Sequence, residues 1–147
     1  SLFFSLGDGI IVINGEITIL GPYPDNAPPY LGYNLLTADI KKHGRFVIEK
    51  IIRTSELESL LMGTDGVEYL IKNKEAKIPG KNEVIGPISQ FWTEDRYFKN
   101  QDMIRRRLSL INRICTKLSP ESNSLVKEYG HLPDDTTLIV TRRKSAG

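Results

Sequence analysis

The chain has 147 residues and a mass of 16.6 kDa, enough for one domain, spanning 1–147, with its own apolar core. Hydrophobic residues make up 39% and charged residues 26%, and no apolar run approaches the ~18 residues that span a bilayer; a soluble, cytoplasmic domain without membrane contact is expected. A formal net charge of +2 is too small to imply nucleic acid through bulk electrostatics.

The opening Ser1-Leu2-Phe3-Phe4 has no basic lead and does not read as a signal peptide. Residues 2–6 form a short apolar strand that runs into Gly7-Asp8-Gly9. The runs Ile10–Ile13 and Glu16–Leu20 flank Asn14-Gly15, whose residues tolerate positive φ, so the sequence predicts a hairpin within an opening β-meander. Four prolines in residues 21–32 exclude helix and central strand there. The aromatic residues Tyr23, Tyr30 and Tyr33 then belong to a structured surface loop.

Residues 45–54 and 57–62 read as strands, 67–71 as the start of a helix, and 72–86 as a polar loop. Helix resumes near 89–98. Ile104, Leu108, Ile111, Cys115 and Leu118 recur at helical spacing, which predicts a helix over 101–118 with Asn100 as its N-cap and Pro120 as its stop. Its opposite face carries Arg105, Arg106, Arg107, Arg113 and Lys117, a solvated surface without the aromatic platform that would make nucleic acid a partner. Residues 136–142 form a last strand. Strands at both ends with helices between them predict an α+β layered fold.

Cys115 is the only cysteine, so an intrachain disulfide and a thiolate zinc site are both excluded. With His43 and His131 as the only histidines, a metal site must be built from oxygen ligands, which favours magnesium, manganese or calcium. Asp8, Asp65 and Asp134 share one context: each sits where the chain enters or leaves a strand. Carboxylates held at strand ends converge above a sheet edge, and a divalent cation removes their mutual repulsion. Flanking glycines let a cation approach the backbone. Alone, each motif also serves as a plain turn, and Asp65 could equally cap the helix that follows.

Together the three motifs resemble the type-2C family of metal-dependent protein phosphatases. Gly7-Asp8-Gly9 followed by Asn14-Gly15-Glu16 is similar to its Gly-Asp motif and hairpin. Leu60-Leu61-Met62-Gly63-Thr64-Asp65-Gly66-Val67 is similar to its strand ending in Ser/Thr-Asp-Gly. Asp134-Asp135-Thr136-Thr137-Leu138-Ile139-Val140 is similar to its final acidic doublet and strand. The resemblance implies an α-β-β-α sandwich of two antiparallel sheets flanked by helices, of which this chain supplies about the second half. It implies hydrolysis of phosphoserine and phosphothreonine in a phosphorylated protein by a water activated with Mn2+ or Mg2+, two or more ions in the complete domain. Asp65 and Asp134 would be metal ligands and Asp8 an accessory one, supported by Gly66 and Asp135 through backbone or hydrogen-bonding contacts.

The family's bridging Asp in an Asp-Gly-x-Gly-like motif, its early acidic ligand and its basic phosphate-binding residue are not found in this sequence. The chain alone is therefore expected to be inactive, with the first half of the domain as its partner. An inactive phosphatase-like binding module is the alternative. Cys115 reads as core rather than as a nucleophile.

Overall fold

Asn14 and Gly15 both take positive φ, 52° and 86°, and close a hairpin between β2 (Gly9–Ile13) and β3 (Glu16–Leu20). The computed structural model describes residues 1–29, 32, 45–119 and 123–144; Tyr30, Tyr33, His43 and Pro120 lie outside them. The chain divides into two compact units, one of Ser1–Asp65 with Leu138–Gly147 and the other of Gly66–Thr137.

The first unit is built on an antiparallel sheet in the order β3-β2-β5-β8, with β5 at Ser59–Gly63 and β8 at Leu138–Arg142. Every residue of β2 is buried, which explains why it reads as an unbroken apolar run rather than an alternating one. Val12 lies opposite Ile17 and Leu61, and Ile10 opposite Ile19 and Gly63, so one face of the sheet gathers large apolar side chains. Asn14 fixes the register between hairpin and β5. Its Oδ1 accepts from the N–H groups of Glu58 and Ser59 at 2.8 and 3.1 Å, and its Nδ2 donates to the Glu56 carbonyl at 2.7 Å.

The strand expected over 2–6 is present as β1 (Leu2–Ser5), but it does not join the meander. It pairs with β4 (Val47–Ile51) in a separate two-stranded ribbon. Gly7 and Gly9, at φ 106° and 131°, turn the chain between β1 and β2 through conformations that do not propagate a hairpin. On the ribbon, Phe4 meets Phe46 edge-on at 5.3 Å between ring centres. Leu2, Phe4, Phe46, Ile48 and Ile51 remain 52–70% exposed, far more than an isolated ribbon tolerates as its core side.

The second unit contains α1 (Val67–Lys72), α2 (Gln90–Thr93), α3 (Arg96–Lys99), α4 (Met103–Ile111) and a ribbon of β6 (Cys115–Ser119) and β7 (Ser124–Glu128). Val67, Leu70, Ile78, Ile85, Phe91 and Ile111 are at most 1% exposed and form its core. Burying a side chain such as Phe91 contributes about 2–3 kcal/mol. The Tyr97 hydroxyl donates to Gln90 Oε1 at 2.9 Å, and Gln90 Nε2 donates to the carbonyls of Ile85 and Pro87, so the polar groups beneath Phe91 are paired. Burial pushes the Tyr97 hydroxyl above its ordinary pKa.

The helix expected over 101–118 stops at Ile111. Ile104, Leu108 and Ile111 do share a helix, whereas Cys115 and Leu118 belong to β6. Asn112 ends the helix through its N–H to the Leu108 carbonyl, and the β-branched Ile114 and Thr116 favour the extended pairing with β7 that follows. The cationic face predicted for that helix dissolves accordingly. Arg107 is buried, bonded to Glu83 and to the carbonyls of Val84 and Ile85, while Arg113 donates to the Pro79 carbonyl and Lys117 pairs with Glu128. Arg107 holds the Glu83 carboxyl below the usual carboxylate range through its hydrogen bond. Asn100 is not the N-cap, a position that Asp102 occupies; it lies two residues earlier, its Oδ1 accepting from the Asp102 N–H at 2.9 Å.

The architecture is mixed α and β, with antiparallel sheets and few, short helices. Among the described residues no helix is long and apolar enough to cross a membrane.

Candidate metal centre

Asp8 is exposed between two buried glycines in the turn that leads into β2. Gly9 is there for space as well as for φ: a Cβ on it would lie 2.6 Å from the Gly63 carbonyl oxygen. Tyr23 fastens the same turn, its hydroxyl donating to the Gly7 carbonyl at 2.9 Å. Asp65 is also exposed and lies two residues beyond Gly63, the last residue of β5. Because Ile10 faces Gly63, Asp8 and Asp65 are carried at the same end of the sheet. Gly66, rather than Asp65, occupies the cap position of α1.

Asp134 and Asp135 are exposed in the second unit, in the segment that precedes β8. The Asp134 carboxylate accepts from the Asp135 N–H at 2.7 Å, and the Thr136 hydroxyl donates to the Asp134 carbonyl at 3.0 Å. This local turn orients the carboxylate and occupies one of its roughly four acceptor positions. Within the same unit, Gly66 approaches this turn very closely. A Cβ on Gly66 would lie 2.6 Å from both the Asp135 carbonyl oxygen and the Thr136 hydroxyl. This is an approach that only glycine permits.

The two glycine contacts bracket Asp65 along the chain: Gly63 receives Gly9, and Gly66 receives Asp135. Sequence reasoning singled out the glycines as flanking residues but missed these partners, which depend on strand register and chain return. Carboxylates of this kind fit a hard, oxygen-seeking cation in donor chemistry. In number they fall short: among the described residues, no group of three or more His, Cys, Asp and Glu side chains is arranged to hold a metal ion.

Comparison of the chain with protein-family models, with curated proteins and with solved structures returns no match.

Proposed function

We propose that this chain is part of a type-2C-like, metal-dependent serine/threonine protein phosphatase, with Asp65 and Asp134 as metal ligands and Asp8 as an accessory ligand. The observation that carries the reading is the close approach of Gly66 to Asp135 and Thr136, because Asp65 and Asp134 are the immediate chain neighbours of that contact. The sheet register, which carries Asp8 and Asp65 at one end, supports it. Mn2+ or Mg2+ bound there would supply Lewis acidity, making a water more acidic and offsetting charge on phosphoryl oxygens. Asp65 and Asp134 would anchor such an ion, with the Asp135 N–H holding the Asp134 carboxylate in place.

The shortfall in carboxylates fits a site completed by a partner polypeptide, the first half of an α-β-β-α sandwich domain acting in the cytoplasm on phosphorylated proteins. The exposed apolar face of the β1–β4 ribbon supports such a covering half. The same shortfall favours a second reading, a phosphatase-like binding module without activity.

Titration calorimetry with Mn2+ tests the ligand assignment. Asp65→Asn and Asp134→Asn should each weaken binding about tenfold or more, since affinity follows ligand charge and number, while Asp25→Asn leaves it unchanged. Unaltered affinity in both variants contradicts the assignment. Mn2+-dependent hydrolysis of a phosphoserine peptide by the chain joined with its completing half separates phosphatase from binding module.

A further inference from the structure

A second polar site lies wholly within the Gly66–Thr137 unit. The turn over residues 77–82 is closed by hydrogen bonds from Ile78 N to the Glu83 carbonyl and from Lys81 N to the Ile78 carbonyl, both 2.9 Å. Three side chains pin this turn. Arg113 Nε donates to the Pro79 carbonyl at 2.6 Å, Glu128 Oε2 accepts from the Gly80 N–H at 2.7 Å, and the His131 ring bonds the Lys77 carbonyl at 2.9 Å through Nε2. A carbonyl only accepts, so His131 Nε2 carries the proton. Between this turn and the base of the β6–β7 ribbon is a cavity of about 360 Å³ lined by Lys77, Lys81, Lys117, Glu128, Tyr129 and His131.

Its charges are unbalanced. Its lining carries three lysines and one glutamate, an excess of two positive charges before any contribution from His131. Glu128 is already engaged, by Lys117 and by the Gly80 N–H, and these two contacts keep its carboxyl below the usual range and ionised at neutral pH. Lys77 and Lys81 add positive charge that this single carboxylate does not neutralise. A phosphate monoester carries about −1.5 to −2 at neutral pH and presents three acceptor oxygens, which matches that excess in both charge and donor number.

We propose that this cavity binds a phosphate monoester group, with Lys77, Lys81 and Lys117 as its donors and Glu128 as a resident anion that limits its affinity. The Glu128 carboxylate orders the cavity by tying the ribbon to the Gly80 turn, and it competes with an incoming anion for Lys117. No metal enters this inference, and it stands apart from the proposed Asp65–Asp134 site.

Amide chemical-shift titration of the metal-free chain tests it, using inorganic phosphate, a phosphoserine peptide, its unphosphorylated counterpart and acetate at constant ionic strength. Phosphate and the phosphopeptide should shift the Gly80 and His131 amides in a saturable way, and acetate and the unmodified peptide should not. Tighter binding of the phosphopeptide than of inorganic phosphate assigns the site to phosphorylated proteins; equal binding assigns it to the free anion. Lys81→Ala, which spares every anchor of the turn, should weaken binding at least threefold, and Lys77→Ala with Lys81→Ala at least tenfold. Glu128→Gln should tighten it at least threefold. Shifts that never saturate, acetate binding as well as phosphate, or full affinity in the double alanine variant would overturn the proposal.

Discussion

Gly9→Ala is expected to lower stability by about 2–6 kcal/mol. Two costs combine. At φ 131° the backbone occupies a region that L side chains rarely adopt, a strain of about 1–3 kcal/mol. The new Cβ also meets the Gly63 carbonyl oxygen at 2.6 Å, where relief requires parting β2 from β5 and costs a further ~1–3 kcal/mol. Against a typical total of about 5–15 kcal/mol, this removes a large share. Thermal denaturation should show the midpoint falling by on the order of 10 °C or more.

Gly66→Ala should cost about 1–3 kcal/mol and, unlike Gly9→Ala, should do so without backbone strain. Gly66 sits at φ −52°, comfortable for any residue, so the whole loss reports on the Asp135 carbonyl and the Thr136 hydroxyl at 2.6 Å. Neither is the end of a flexible side chain that could swing clear: one is backbone, and Thr136 is restricted at χ1. The turn that orients Asp134 must shift to admit the methyl group. Mn2+ affinity should therefore fall about tenfold or more in Gly66→Ala even where the protein remains folded. A variant that loses stability yet binds Mn2+ like the parent would separate the Gly66 contact from the proposed metal site.

How legible these features were in the sequence depended on how local their causes are. The β2–β3 hairpin follows from Asn14-Gly15 alone, because two adjacent residues that accept positive φ determine the turn. The strand-to-helix passage through Thr64-Asp65-Gly66 was equally readable. Helical spacing carried correctly through Ile104, Leu108 and Ile111, then continued by coincidence into Cys115 and Leu118. What ended the helix was pairing with β7, a partner beyond residue 123 that periodicity within 101–118 cannot reveal. The pairing of β1 with β4 is a contact across more than 40 residues and was hidden for the same reason. Ile78 and Ile85, buried in a stretch that reads as polar loop, are the chain neighbours of an isolated bridge between Lys77 and Val84, a pairing with no signature in the local residue pattern. At the candidate site, the strand-end positions of Asp8 and Asp65 could be read directly, whereas the last strand begins at Leu138 rather than at residue 136, so Asp134 stands four residues before it. The glycine approaches could not, nor could the convergence of Lys77, Lys81, Lys117 and Glu128 from distant positions.

The most direct measurement is paramagnetic line broadening of backbone amides during addition of substoichiometric Mn2+ to this chain. A shared oxygen-rich ion site predicts that signals near Asp8, Asp65 and Asp134 fade together at the same Mn2+ ratio, and that Asp65→Asn diminishes the broadening at Asp134. Broadening confined to one of these acids, or loss at Asp65 while Asp134 remains sharp, would contradict the account.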